Sequence, residues 1–134
     1  MPRVLITSGP TRQYFDPVRF LTNGSTGQMG RALAEAALAD GYDVTIISGP
    51  VTVGYPAQAQ VIAVETTAEM LQATMEQFPE HNGIIAAAAP CDFRPEIVLD
   101  QKIKKSADAF TVRLVPTDDI LATVGETKRP DQWS

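Results

Sequence analysis

The chain has little of what stabilises secreted and membrane proteins. Its one cysteine, Cys91, excludes an internal disulfide and fits a reducing compartment. No apolar run approaches the roughly 20 residues of a membrane span. The opening stretch MPRVLITSGP lacks the long apolar segment and cleavage site of a signal peptide. There is one histidine, His81, and no His/Cys/carboxylate group at zinc-ligand spacing. Strongly basic stretches are missing as well. With a net charge of −5, a nucleic-acid backbone is not an expected partner. These absences lead to an expected cytoplasmic location, with no membrane and no nucleic acid as partner. What remains is 44% hydrophobic and 20% charged, the balance of a folded chain, and 134 residues suit one domain with one core.

Along the chain, strand and helix patterns alternate. RVLITSG is a short β-branched run closed by Ser8-Gly9-Pro10. Residues 11–27 form a long connection rich in Thr, Gly, Asp and Asn. From Gln28 to about Asp40, Met29, Leu33, Ala36 and Ala37 recur at helical spacing, and Gly41 is a fitting stop. DVTIISGP repeats the strand and its Ser-Gly-Pro turn, and AQVIAVE predicts a third strand. Thr66 and Glu69 have the spacing of a capping box ahead of a second helix through Met70, Leu71, Thr74, Met75 and Phe78. IIAAAAP reads as a fourth strand buried on both faces. Residues 91–108 lack either period and read as a long loop, whose part from about Arg94 to Lys105 is expected to be loosely ordered until an anion neutralises its lysines. FTVRLVP alternates as a strand, and TDDILATVGE reads as a helix capped by Thr117 or Asp118. This is the pattern of a parallel sheet with helices on its faces, and such sheets bind ligands beyond the carboxyl ends of their strands.

The stretch LTNGSTGQMG places Gly24, Gly27 and Gly30 where a helix begins. A helix start offers unpaired N–H groups and a positive dipole end, glycines let a phosphate approach, and Ser25 and Thr26 add hydroxyls. A tight turn with close helix-on-sheet packing would use glycines too. The loop is not a dinucleotide fingerprint, since it lies well beyond the first strand, nor a Walker loop, since Arg31 stands where the lysine belongs. Arg19 could hold a phosphate or carboxylate, and Asn23 could donate to an oxyanion or accept from an amine; either could equally be an ordinary loop residue. Asp92, after an apolar strand, suits a metal-bridging or nucleotide-reading carboxylate or a turn. Lys102, Lys104 and Lys105 suit phosphate neutralisation or a solvated charge run. His81 falls at the amino end of its strand, away from Cys91, so the two are not expected to form a nucleophilic pair.

In order, SGPTR, DPVRFLTNGSTGQMGRALAEAAL, GYDVTIISGPV, AAAAPCDFRP, KIKK and TDDIL resemble the phosphopantothenoylcysteine synthetase family, also called phosphopantothenate–cysteine ligase. The resemblance runs over essentially the whole chain. It implies an α/β, Rossmann-like three-layer fold with a mainly parallel sheet and helices on both faces. It implies a ligase of coenzyme A biosynthesis that activates 4′-phosphopantothenate with CTP to an acyl-nucleotidylate and then joins it to L-cysteine. By the same resemblance, Asn23 and Lys102 are catalytic. Gly9, Ser25, Thr26, Gly27, Ala86, Ala87, Ala88, Asp92, Lys102, Asp118, Asp119, Ile120 and Leu121 hold the nucleotide, and Asp92 also holds Mg2+. Arg19, Asn23 and Ala89 contact the substrate. KIKK is similar to the bacterial, CTP-using branch.

Three positions depart from the family pattern: Gln28 where a cation is usual, Cys91 for a small residue, and Asp118 for a frequent proline. Family members continue past residue 135 into a further strand and a segment with dimer contacts. Residues 1–134 are therefore expected to be a single nucleotide-binding synthetase domain lacking that segment, homodimeric at full length, with no flavin. Two other readings stay open: a nicotinamide-binding oxidoreductase module and a noncatalytic nucleotide-binding remnant. The first wants an acid after the second strand and a Tyr-x-x-x-Lys pair. Ser48-Gly49-Pro50 stands at the former place, and none of Tyr14, Tyr42 or Tyr55 is followed by the lysine.

Overall fold

Strands β1 (Arg3–Ser8) and β4 (Asp43–Ser48) lie side by side at the centre of a sheet, and all but the first residue of each is buried. A computed structural model describes residues 1–134. Continuous β-branched runs such as VLIT and VTII suit this position, where both faces of a strand are covered. Outside them lie β5 (Gln60–Ala63) and β6 (Gly83–Ala86), giving the order β5-β4-β1-β6 with every pair parallel. The register sets Ser8 opposite Ser48, and Thr7 opposite Ala86.

The pleat sorts each strand's side chains between two helical layers. Val4, Ile6, Val44 and Ile46 pack on helix α1 (Gln28–Ala39) around buried Ala34. Leu5, Ile47 and Ile84 pack on the other face against Met70 and Phe78, from helix α2 (Thr67–Gln77) and the turn after it, and against Ile120 and Val124 of helix α3 (Ile120–Glu126). Truncating such a fully buried aliphatic residue to alanine typically costs about 2–5 kcal/mol. No helix is long and apolar enough to cross a membrane. The expected three-layer α/β architecture is therefore the observed one. Helix α2 begins with the expected capping box: Thr66 Oγ1 accepts from Glu69 N at 3.1 Å, and Glu69 Oε1 accepts from Thr66 N at 2.9 Å.

Five features differ from expectation. The long connection 11–27 contains a hairpin, β2 (Arg12–Tyr14) against β3 (Phe20–Thr22), held by an edge-on Tyr14–Phe20 pair and by Arg12 over the Phe20 ring. Residues 91–108 contain β7 (Phe93–Pro95), which pairs with β8 (Leu114–Pro116). The predicted FTVRLVP strand thus shrinks to three residues outside the parallel sheet, paired antiparallel with β7, and Glu96 N to Arg113 O and Thr117 N to Asp92 O bonds flank the ladder at its two ends. IIAAAAP stops as a strand at Ala86 and is not buried on both faces, because β6 is an outer strand; Ile85 is only half-buried and Ala86 exposed. Helix α3 is capped by neither Thr117 nor Asp118. Asp119 Oδ1 accepts from Ala122 N at 2.9 Å, while the Thr117 hydroxyl donates to Cys91 O at 2.6 Å.

Behind the sheet's amino edge, His81 is 2% exposed. Its Nδ1 lies 2.6 Å from Gln77 O, which can only accept, so Nδ1 carries the proton and Nε2 accepts from the Thr45 hydroxyl at 2.9 Å. Burial holds the imidazole pKa below its ordinary value of 6.5. The folded chain therefore binds fewer protons at this site than the unfolded chain once the pH drops below about 6.5. Its contribution to stability is whole above that value and is lost as pH falls toward the lowered folded pKa. Thermal unfolding followed by circular dichroism should show the melting temperature falling from about pH 7.5 to about pH 5.5, and His81→Gln should flatten that limb.

Candidate functional site

In order of appearance, the parallel strands are arranged third, second, first, fourth, and the connections reverse direction between β1 and β6. Sheets of this kind hold ligands beyond their carboxyl ends at that reversal. A cleft of about 180 Å3 opens there, lined by Thr7 of β1, by Ala86, Ala88 and Pro90, and by Asp119, Ile120 and Leu121 at the start of α3. Ala87 N and Ala89 N donate to Thr7 O and Gly9 O at 3.0 and 2.9 Å, so the alanine run stays fastened to β1 past the end of β6.

Asn23 closes over this rim. Its Nδ2 donates to Ala89 O at 3.0 Å and to Pro90 O at 3.1 Å. Two carbonyl partners fix which amide atom is the nitrogen, and both its protons are taken. Of the two roles open from the sequence, donor to an oxyanion or acceptor from an amine, only Oδ1 as acceptor is left. Ser25 follows half-buried, and Thr26 Oγ1 accepts from Gln28 N at 3.4 Å.

The three glycines have three different surroundings. Gly27 caps α1 with φ +83° in the left-handed region. A Cβ on Gly30 would run into the side chain of Ser8, so this glycine is what lets α1 rest on β1. Gly24 has nothing within 4 Å of where its Cβ would be and φ outside the left-handed region. Gly27 thus serves the turn and Gly30 the close packing of α1 on β1, while Gly24 has neither task. Gly9 (φ +76°) and Gly27 both abut Val51, and Tyr55 packs on Gly27. The Tyr55 hydroxyl lies 2.9 Å from Ser8 Oγ and 2.7 Å from Ser48 Oγ. Loop 49–55 thus fills the space over the first turn, where a nicotinamide dinucleotide would lay its pyrophosphate.

Arg19 belongs to a second constellation. Asp16 is fully buried, and its carboxylate accepts from Val18 N, Arg19 N, Arg19 Nη1 and, from far along the chain, Ile103 N at 3.2 Å. Burial alone would raise its pKa. The backbone donors of Val18, Ile103 and Arg19, with the Arg19 charge, outweigh it and hold the group below the usual carboxylate range. Arg19 Nη1 also donates to Ile103 O at 3.0 Å, which places Lys102 beside the Arg19 hairpin. The loop expected to be loose is therefore tied at Ile103 and again at Leu99, whose N–H donates to Phe15 O at 2.9 Å. Sequence reasoning passed over Asp16 and Ile103. The available signal was Asp-Pro-Val-Arg, in which an aspartate accepts from the N–H groups two and three residues on.

Asp92 is exposed, its carboxylate pairs with no cation, and its carbonyl accepts from Thr117 N at 2.8 Å. It belongs to no cluster of three potential metal ligands. Asp118 does not line the β1–β6 cleft; it borders a separate hollow with Gln13, Arg94 and Thr117. Lys102 does not line the cleft either, and Lys102, Lys104 and Lys105 are exposed and unpaired. Cys91 is buried, with Sγ 3.5 Å from Thr11 O, at the opposite end of β6 from His81.

A parallel sheet in this order, with its cleft at the reversal, defines a Rossmann-like α/β protein. Residues 1–134 match the family model described as DNA/pantothenate metabolism flavoprotein C-terminal domain, and the chain belongs to that family. It is 49% identical over 124 residues to the coenzyme A biosynthesis bifunctional protein CoaBC of Vibrio cholerae, covering 91% of this chain and 31% of that protein. The Bacillus subtilis protein of the same name is 46% identical over 127 residues, 94% of this chain and 31% of that one. The crystal structure of a CoaBC C-terminal domain superposes with a TM-score of 0.83 at 38% identity, covering 98% of this chain and 61% of that one. The chain thus spans about a third of the length of the curated relatives it matches.

The glycine surroundings predict opposite outcomes for one substitution. Gly24→Ala should leave urea-unfolding stability within about 0.5 kcal/mol. Gly30→Ala should lower it by about 1–3 kcal/mol, because Ser8 and the α1 backbone must separate.

Proposed function

We propose that the chain supplies the ligase site that joins 4′-phosphopantothenate to L-cysteine in coenzyme A biosynthesis, using CTP. The observation that carries this reading is Asn23, clamped on the Ala89 and Pro90 carbonyls at the strand-reversal cleft and presenting a single acceptor. Kinship with the bifunctional CoaBC proteins supports the pathway. In the first step the phosphopantothenate carboxylate attacks the α-phosphorus of CTP, forming an acyl-cytidylate and releasing pyrophosphate. In the second, the cysteine amine attacks the acyl carbon, gives up a proton, forms the amide and expels CMP.

Each group is assigned one task in this reaction. The Ala86–Ala89 turn and the start of α3 cradle the nucleotide, with Gly9 and the Ser25–Gly27 loop flanking them. The Nε and Nη2 donors of Arg19, which bond to nothing within the chain, take the anionic acid substrate. Asn23 Oδ1 accepts from the incoming amine and so orients its lone pair toward the acyl carbon. Lys102 compensates the charge growing on pyrophosphate. Asp92, an exposed carboxylate with no competing cation, would be the residue that holds a magnesium ion, which would supply further charge neutralisation. A homodimer at full length completes the proposal. Nothing in the geometry favours the nicotinamide reading, since Val51 and Tyr55 occupy its pyrophosphate position.

The test separates the two steps, in the longest natural polypeptide that carries the chain. With labelled CTP under single-turnover conditions, Lys102→Gln should abolish formation of the acyl-cytidylate. Asn23→Asp faces two carbonyl oxygens with a carboxylate and loses both clamping bonds. With its acceptor no longer held in place, it should accumulate the intermediate, detected by mass spectrometry, with the second step slowed about 100-fold. Equal loss of pyrophosphate release in both variants would refute this division of roles. Normal turnover in both would refute the site, and no pyrophosphate release from the unaltered protein would leave a noncatalytic nucleotide binder.

A further inference from the structure

We infer that Asp16 is a positioning residue that couples the acid-binding arginine to the lysine strap, by holding the backbone of Ile103 between Lys102 and Lys104. The inference rests on the ligase reading for the tasks of Arg19 and Lys102, but the clasp itself stands on geometry. One buried carboxylate accepts from Arg19 Nη1 at 3.0 Å and from Ile103 N at 3.2 Å, and the same Nη1 donates to Ile103 O at 3.0 Å. Both polar groups of one strap residue are thus taken by an ion pair on the β2–β3 turn. The strap has little else to order it: residues 100–113 contain no helix or strand, and no backbone bond is made by the Lys102 or Lys104 amide. Fixing the backbone of Ile103 confines the side chains on either side of it. Strand β3 then leads directly from Arg19 to Asn23, so the acid substrate, the amine acceptor and the strap share one rigid hairpin.

A plain alternative is that Asp16 only tightens its own turn, through the Val18 and Arg19 amides. That role would not require a buried carboxylate to reach a residue 87 positions away. The coupling has a direction that can be measured. An anion seated on the free donors of Arg19 restrains the guanidinium, and with it Ile103. Acid and nucleotide should therefore strengthen each other's binding, by the same factor in both orders.

Hydrogen–deuterium exchange reads the clasp without any turnover. After correction for intrinsic rates, the Ile103 amide should exchange about tenfold or more slowly than those of Lys102 and Lys104. Asp16→Asn should abolish that difference, and 4′-phosphopantothenate should slow exchange at Ile103 further in the unaltered protein. In steady state, Asp16→Asn should raise KM for CTP about tenfold with a smaller change in kcat. Should Asp16→Asn fail to fold, Ile103→Pro removes the strap's donor without touching the hairpin and should raise the same KM. An Ile103 amide as fast as its neighbours would overturn the clasp. Unchanged KM for CTP in a folded Asp16→Asn or Ile103→Pro protein, or full activity of Lys102→Gln, would overturn the coupling even with the clasp intact.

Discussion

Helix α1 lies on strand β1 at the distance Gly30 allows, and most of the site's geometry follows from that contact. With Ser8 against the helix backbone, the left-handed cap at Gly27 falls beside the turn at Gly9. The same approach brings Asn23 to the alanine turn, because the chain entering α1 must cross the end of β1 to reach its start. Pairing then transmits the position outward. Gly9 O receives Ala89 N, Pro10 bridges Ala89, and Cys91 N donates to the Thr11 hydroxyl at 2.8 Å, so the β6 turn is laced to the β1 turn over several residues.

Electrostatics in this region are local exceptions to a chain of net charge −5. Asp16 has its charge compensated within the fold, so Arg19 brings little net field of its own to the site. The strap lysines have no such partner, and they form the uncompensated positive group near Asn23's hairpin. Asp92, just after the alanine turn, contributes an unpaired charge of the opposite sign. A triphosphate and a divalent cation together would answer both imbalances, whereas a neutral ligand would answer neither.

Elements governed by local chemistry were legible in the sequence: β1 and β4 from their β-branched runs, α2 from Thr66 and Glu69, and the end of α1 from Gly41. Elements governed by a distant partner were not. Nothing near Phe93 announces that it will pair with Pro116, and nothing near Ile103 announces Asp16. The α3 cap slipped by one or two residues because Thr117, Asp118 and Asp119 are all competent caps; the choice fell to Asp119 once Thr117 was drawn to the Cys91 carbonyl. At the site, the strand-end alanines and the α3 start converge as the strand order requires. Asp118 and Lys102 lie elsewhere because side-chain direction and loop path are not encoded in strand order.

The hydroxyl chain from Ser8 through Tyr55 to Ser48 also sets what this crevice can refuse. A sheet of this order offers a continuous trough across its carboxyl edge, wide enough for two linked nucleosides. Here the two Ser-Gly-Pro turns sit against each other, with Gly49 leaving no room for a Cβ beside the Pro10 carbonyl, and Tyr55 bolts them together. The trough becomes two separate basins, the β1–β6 cleft on one side and a hollow beside β4 and β5 on the other. On the proposed ligase reading, the filled volume would exclude two-nucleoside ligands by occupancy rather than by reading functional groups, a form of exclusion that needs no contact with the molecule it admits.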